Sequence, residues 1–367
     1  MGRPEKPDRE NAPHGGEPWQ FEIDRDLICT IDSDGYFTSL NAAWERVLGW
    51  SREELTSRPF IEFVHPDDAA RSAREASNVS LPDYELLNFE NRYRTKDGGS
   101  RWLRWSARSD GETWFCVAFD ITERRQAEAR LRGLLTSRNL LAYAQPIVDA
   151  RGGALVQEEL LARVLNPTDR SVIILPQAFV PEAERHGLIG LIDRRMFEQG
   201  VRIASQGRHA EINLSAQSIC DEDFARRLEE VLSTGTPSAE RIVFEITESA
   251  AIEHLDAARD FADRMTRLGC RFALDDFGTG YGSLTYLRHL PVQFLKIDTT
   301  FVRDLARSPD DQAMVRSVVA IAHEFGLRTV AEGVEDGTAL KLLREYGVHN
   351  VQGYLTGRPA PLASAPQ

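Results

Sequence analysis

The sequence predicts an α/β protein in which a (β/α)8 TIM-like barrel follows a smaller α+β domain. In the second half, apolar runs of strand length alternate with stretches of helical spacing, which is typical of βα units around a parallel sheet. Polar residues end these apolar runs, as residues at the carboxyl ends of barrel strands often do. About eight such units between residues 140 and 355 fit one closed barrel of the usual size.

The first third of the chain has a different pattern. Residues 1–18 are rich in Pro, Gly and charged residues, so we expect disorder there. From Trp19 to residue 122 we expect an ordered domain with the order strand, strand, helix, helix, helix, strand, strand, strand. The last three predicted strands alternate in polarity and lie at residues 87–95, 100–109 and 113–120.

Several short motifs in residues 19–122 resemble those of PAS sensor domains. They are Gly49-Trp50, Val64-His-Pro-Asp-Asp68, Tyr93-Arg-Thr-Lys-Asp-Gly98 and Asp120-Ile-Thr-Glu-Arg-Arg125. The resemblance implies a PAS fold and a sensing role, with the PAS ligand unknown. His65 has two interpretations, a haem ligand or a structural histidine in a turn, and the His-Pro-Asp-Asp segment favours the second.

Residues 123–139 form a charged segment between the two domains. Leu131, Leu134 and Leu135 fall at helical spacing within it, which predicts a connecting helix. Because such a helix can pair with its copy in a second chain, we expect a homodimer in which the PAS domain controls the barrel through this connector.

Composition and charge disfavour several classes of partner. A net charge of −13 argues against binding to DNA or anionic lipid. No apolar stretch reaches the roughly 20 residues of a membrane span, and the amino-terminal segment does not resemble a signal peptide. We therefore expect a cytoplasmic protein. The four cysteines have no CxxC spacing, which favours buried free thiols over disulfides or a zinc site.

Asp275 and Asp276 are the most informative pair in the chain. They follow the apolar run 270–274 and precede a glycine-bearing turn, where two neighbouring carboxylates can reach one site. Alone, the pair fits either a divalent-metal centre or an Asp-rich turn that stops a strand. Five further apolar runs end in a polar residue, at Asn213, Glu245, Lys296, Glu332 and Gln352. Six such ends in series favour the metal centre.

The barrel motifs together resemble the EAL family of cyclic di-GMP phosphodiesterases. In chain order they are Gln145-Pro-Ile-Val148, Glu159-Leu-Leu-Ala-Arg163, Asn213-Leu-Ser215, Glu245-Ile-Thr-Glu248, Asp275-Asp-Phe-Gly-Thr-Gly280, Lys296-Ile-Asp298, Ala331-Glu-Gly-Val-Glu335 and Gln352-Gly-Tyr354. The match covers nearly all of residues 140–360, and we assign residues 140–362 to this domain. The resemblance implies metal-dependent hydrolysis of cyclic di-GMP to the linear dinucleotide pGpG.

The resemblance also implies a ligand set for two Mg²⁺ or Mn²⁺ ions, which prefer oxygen donors. Asp275 would bridge the ions. The remaining ligands would be Glu159, Asn213 and Glu245 on one ion, and Asp276 and Glu332 on the other.

The same resemblance implies roles for five further residues. Lys296 would be a positioned charge or proton shuttle near the attacking water, and Gln352 would hold that water or the substrate. Gln145 and Arg163 would bind substrate, although Arg163 has a surface salt bridge as its alternative interpretation. Glu248 would anchor the loop at residues 275–282.

The sequence departs from the family pattern at four positions. They are Leu160, Val164, Gly282 and Gln293, which stand where Ala, Trp, Ser and Asp are usual. Leu160 could displace Glu159, and Gly282 could loosen the Asp275 loop, so turnover could be slow. A receptor that binds cyclic di-GMP without cutting it, and an interaction scaffold, are the alternative functions.

Overall fold

The computed structural model describes residues 26–79, 84–235, 239–278 and 287–362. The chain forms two compact units, one ending at Ala129 and the other beginning at Arg130. The expected disorder of residues 1–18, the start of order at Trp19, and Gly282 all lie outside the described residues.

The first unit contains a five-stranded antiparallel sheet with the order β2-β1-β5-β4-β3. The strands are β1 Leu27–Asp32, β2 Phe37–Leu40, β3 Glu85–Arg94, β4 Ser100–Ser109 and β5 Thr113–Asp120. Between β2 and β3 lie the helices Ala43–Leu48, Arg52–Thr56 and Pro66–Val79 and the 3-10 turn Phe60–Phe63. The predicted α+β order of a PAS domain is therefore confirmed.

Large aromatic side chains fill the core of this unit. The rings of Trp44, Tyr93 and Trp105 are in mutual contact. Beside them lies a cavity of about 40 Å³, lined in part by Asn91 and Cys116. This volume holds a few water-sized molecules. His65 Nδ1 accepts a hydrogen bond from the Asp67 backbone N–H, as a structural histidine in a turn does.

One helix, Thr122–Leu134, leads from β5 toward the second unit. Leu131 and Leu135 are buried in the main hydrophobic core of that second unit, and Leu134 packs against it. The interpretation that these leucines pair across a dimer is therefore wrong, because their apolar surface is already covered within the same chain. The homodimer itself stays a prediction.

The second unit is a closed eight-stranded barrel with two short additional strands. In chain order its strands are β6 Leu140–Asp149, β7 Leu155–Leu165, β8 Ile173–Ile174, β9 Ala210–Asn213, β10 Ile242–Thr247, β11 Arg271–Phe277, β12 Phe294–Ile297, β13 Arg328–Ala331, β14 Asn350–Gln352 and β15 Ala360–Pro361. β6 pairs with both β7 and β14, and this double pairing closes the barrel.

The barrel is mixed rather than fully parallel, which corrects the expectation of eight equivalent βα units. β6 is antiparallel to both of its barrel neighbours, whereas the steps from β7 through β14 are parallel. The reason is local. A tight turn joins β6 to β7, in which Asp149 N–H donates to the Ala154 carbonyl, and a connection this short can only join antiparallel strands.

Helices surround the barrel on its outer side. They are Pro176–Arg185, Ile189–Ser205, Ala216–Ile219, Glu222–Leu232, Glu248–Glu253, Leu255–Arg267, Thr299–Arg303, Pro309–Glu324 and Gly337–Tyr346, with a 3-10 turn at Ala239–Arg241. The main core lies between these helices and the strands. Within the described part of the chain, no helix combines the length and apolar character needed to cross a membrane.

A second, smaller apolar cluster fills the inside of the barrel. Its members are Ile147, Val243, Ala273, Phe294 and Val330. Each of them lies two positions from a polar residue on the same strand or just beyond its end, at Gln145, Glu245, Asp275, Lys296 and Glu332. Because side chains two apart share a face, this apolar plug places five polar groups in one layer above it.

Candidate metal centre

The Lys296 side chain lies at the centre of the polar layer and is fully buried. Carboxylate oxygens from five residues surround its Nζ atom. They belong to Glu332 at 2.6 Å, Glu245 at 2.7 Å, Glu211 at 3.3 Å, Asp275 at 3.8 Å and Glu159 at 3.9 Å. One positive charge therefore faces several negative charges in a site from which water is largely excluded.

The strand register explains why these groups meet. Glu245 on β10 is level with Asn213 on β9, and Asp275 on β11 lies two residues beyond the partner of Glu245. Asn213 Nδ2 donates to Glu159 Oε1 at 2.8 Å. Gln352 Nε2 donates to Glu159 Oε2 at 2.6 Å and to Gln145 Oε1 at 3.2 Å. The barrel thus brings together polar residues that are far apart in the sequence.

Three of the carboxylates could hold a metal ion together. Oxygen atoms of Glu245, Asp275 and Glu332 all lie within 4.8 Å of one another. The Glu159 carboxylate, 3.9 Å from Lys296 Nζ, and the Asn213 amide that is hydrogen-bonded to it provide further oxygen donors in the same cluster. An all-oxygen donor set of this kind suits hard divalent cations such as Mg²⁺ and Mn²⁺.

The pKa values of the carboxylates show how strongly burial and mutual repulsion disfavour their negative charges. Burial raises the pKa of Glu332 to about 8, and the charges of Asp275 and Glu159 contribute in the same direction. Burial also raises the pKa of Glu245 well above its usual value. For Asp275, burial alone would raise the pKa, but the charge of Lys296 lowers it below the usual range. A buried carboxylate cluster gains most from a bound cation.

Asp276 lies beside the cluster with an unusual backbone. Its φ of 56° is in the left-handed region, which a residue other than Gly seldom adopts. Burial and the neighbouring charges of Asp275 and Asp298 raise the pKa of Asp276 to about 6. Asp298 was not among the predicted site residues. Its place at the end of the Lys296-Ile-Asp298 segment, after a buried strand, was the sequence signal that could have identified it.

Glu248 and Arg163 lie near the centre without joining it. Glu248 Oε2 accepts a hydrogen bond from the Gly278 backbone N–H at 3.1 Å, which ties the chain just after Asp276 to the helix Glu248–Glu253. The Arg163 guanidinium lies 5.5 Å from the centre of the Tyr143 ring. Within the described ranges no carboxylate forms an ion pair with Arg163, so the salt-bridge alternative has no partner there.

Leu160 does not displace its neighbour. Its side chain is buried in the main core outside the strands, whereas Glu159 keeps its contacts with Asn213 and Gln352. A cleft of about 490 Å³ opens beside Glu159 and Asn213, with Ser215 and Thr247 in its lining. Pockets of this volume are typical of small-ligand sites.

Glu211 is a second residue that the sequence reasoning missed. It is completely buried, and its Oε2 atom accepts a hydrogen bond from Gln157 Nε2. The signal was present, because Glu211 lies two positions before Asn213 in one strand and therefore shares its inward face.

Comparison with known families fits this geometry. The EAL domain family profile matches residues 128–359, and the PAS fold profile matches residues 37–114. The chain belongs to the EAL domain family. An amino-terminal PAS fold precedes its EAL domain.

Two curated relatives show the scale of the similarity. MucR of Pseudomonas aeruginosa, a bifunctional diguanylate cyclase/cyclic di-GMP phosphodiesterase, is 33% identical over 330 residues, which cover 82% of this chain and 48% of MucR. The cyclic di-GMP phosphodiesterase PdeB of Shewanella oneidensis is 34% identical over 255 residues, which cover 67% of this chain and 30% of PdeB. The chain thus spans less than half the length of either relative.

Solved structures agree on the barrel. The PaMucR phosphodiesterase in its c-di-GMP complex superposes with a TM-score of 0.60 at 33% identity, over 64% of this chain and 98% of that one. The FimX EAL domain from Pseudomonas aeruginosa bound to c-di-GMP gives a TM-score of 0.60 at 28% identity, over 64% and 96% of the two chains.

Binding of Mg²⁺ is expected to strengthen as pH rises from about 6 to about 8. Asp276 and Glu332 hold protons in the metal-free protein until pH passes their raised pKa values of about 6 and about 8. A cation must displace these protons, so their competition weakens binding at low pH and ends at high pH. Calorimetric titration at several pH values measures this, with Glu332→Gln as the variant that loses the upper step. A pH-independent affinity would contradict it.

Proposed function

We propose that this chain hydrolyses cyclic di-GMP to the linear dinucleotide pGpG with the help of two Mg²⁺ or Mn²⁺ ions. The observation that carries the proposal is the cluster of buried carboxylates around Lys296 at one end of an EAL-family barrel. A protein that served only as a scaffold would gain nothing from the cost of burying so many like charges together.

The proposed ions are held by oxygen donors alone. Glu159, Asn213 and Glu245 would hold one ion, Asp276 and Glu332 would hold the other, and Asp275 would contribute to both. Bound ions would activate a water molecule and neutralise the charge that develops on the phosphate.

The remaining residues orient the reactants. Lys296 supplies a fixed positive charge beside the reacting phosphate, and its burial keeps that charge unscreened. Gln352 holds Glu159 and Gln145 in place and contributes a contact to the water or the substrate. Arg163, whose guanidinium is free of carboxylate partners in the described ranges, binds a phosphate oxygen. The cleft beside Glu159 and Asn213 receives the dinucleotide.

The proposed reaction is tested by incubating the full chain with cyclic di-GMP and resolving the products. We expect pGpG with Mg²⁺ or Mn²⁺ and none in chelator. Glu332→Ala should lower kcat by about 100-fold or more, with a smaller effect on substrate binding, because the ligand acts mainly in the transition state. Exposed Glu324→Ala, at the end of the outer helix Pro309–Glu324, is the matched control and should keep full activity.

The outcomes separate the alternatives. Tight binding of cyclic di-GMP without product would make the chain a receptor. Absence of both binding and product would make it a scaffold, and full activity in chelator would overturn the two-metal mechanism.

Glu248→Ala is expected to fold normally and to lose most of its activity. Its carboxylate holds the Gly278 N–H, two residues after the strained Asp276, and without it the Asp275 and Asp276 carboxylates lose their fixed placement. Circular dichroism tests whether the variant folds normally, and turnover tests whether it has lost activity. Exposed Glu230→Ala, on the helix Glu222–Leu232, is the control. Equal turnover of Glu248→Ala and wild type would show that the segment keeps its shape unaided.

The PAS domain is proposed to set the rate of the barrel through the helix Thr122–Leu134. The support is continuity, since β5 ends at Asp120 and the helix that follows at once contributes Leu131 to the barrel core. A chain that begins at Thr122 keeps both core leucines, whereas one that begins at Arg138 would lose them. The shorter chain from Thr122 should differ from the full chain in kcat or, by sedimentation, in self-association. Identical rates and identical association states across protein concentration would contradict this coupling, and a full chain that sediments as a monomer would contradict the proposed homodimer.

A further inference from the structure

Glu211 occupies an exceptional position inside the barrel. It lies two residues before Asn213 on β9, in register with Glu159 of β7 and Val243 of β10. Val243 belongs to the apolar plug, none of whose five residues is charged. Glu211 is 0% exposed.

Two contacts fix the Glu211 carboxylate. Its Oε2 atom accepts a hydrogen bond from Gln157 Nε2, and its Oε1 atom lies 3.3 Å from Lys296 Nζ. The first contact comes from β7 and the second from β12. The carboxylate is therefore oriented from one side and directed at the lysine on the other.

The other four carboxylates around Lys296 have a competing task. Glu159, Glu245, Asp275 and Glu332 are all proposed metal ligands. Once they bind cations, their charge is shared with those cations, which also repel the lysine ammonium. A fully buried ammonium needs a counter-ion, and Glu211 is the neighbour that stays available.

We infer that Glu211, oriented by Gln157, is a positioning residue that holds the Lys296 ammonium in place when the metal centre is loaded. The inference rests on the proposed function for its catalytic consequence, and on the barrel geometry alone for the placement of the lysine.

Lysine-selective NMR of the full chain tests the placement directly. The sequence contains four lysines, Lys6, Lys96, Lys296 and Lys341, so the buried ammonium can be assigned by its loss in Lys296→Met. With saturating Mg²⁺, wild type should show a protected Lys296 ammonium signal. Glu211→Gln should lose that signal or shift it. Glu158→Gln is the matched control, because Glu158 precedes Glu159 on the opposite face and pairs with Arg208 at 2.6 Å.

Kinetics provide the second arm. If wild type hydrolyses cyclic di-GMP, Glu211→Gln should lower kcat by about 100-fold, which is the cost of misplacing a reacting group by about 1 Å. KM and the Mg²⁺ affinity should change by less than about threefold, since Glu211 binds neither substrate nor ion. Glu211→Asp, which keeps the buried charge, should recover part of the kcat and part of the signal.

The possible results are distinguishable. An unchanged Lys296 signal in Glu211→Gln with Mg²⁺ overturns the inference. A loss of Mg²⁺ affinity as large as that of Glu332→Ala also overturns it, since Glu211 would then be a ligand. If Glu211→Gln does not fold, Glu211→Asp decides, and a wild-type signal in that variant counts against positioning. An inactive wild type rejects the proposed reaction while the NMR result still judges the placement.

Discussion

The structure of the barrel depends on one interaction, the ion pairing of Lys296 with the carboxylates that surround it. Without the lysine, several negative charges would lie a few ångströms apart in a region that excludes water, and each would cost several kcal/mol to keep ionised. The positive charge of Lys296 offsets part of that free-energy cost. The rest is expressed as raised pKa values, such as that of Glu332. The remaining negative charge makes the cluster receptive to cations.

The apolar plug makes this arrangement possible. Phe294 lies two residues before Lys296, and Val243 two residues before Glu245, so both of these site residues stand on a hydrophobic one. The plug keeps water out from below, and a cleft of about 490 Å³ lies beside Glu159 and Asn213. A single rule, the alternation of side chains along a strand, therefore provides both the low-dielectric floor and the polar layer.

Much of this organisation could be predicted from the sequence, because polar residues at the ends of apolar runs mark the carboxyl ends of parallel strands. The prediction was wrong where one sequence pattern is compatible with two different structures. The leucines at 131 and 135 show helical spacing, which reveals an apolar face but not whether its partner is the same chain. β6 reads as a strand like the others, and its reversed direction depends on the short turn at residues 150–154. Glu211 was missed because the prediction considered residues at the ends of strands, whereas Glu211 lies two residues before the end of its strand.

Charged residues at the strand ends and charged residues deeper in the barrel have different roles. Carboxylates at the strand ends can contact ligands, so bound cations can neutralise their negative charge. A charged side chain two residues deeper in the barrel contacts only other protein groups. It is stable there only if a buried group of opposite charge pairs with it. Lys296 is the one residue in the polar layer whose charge has the same sign as that of the proposed ions. A fixed anion beneath it is therefore the arrangement that lets a lysine and divalent cations share one site, and the barrel supplies that anion from the strand that also carries Asn213.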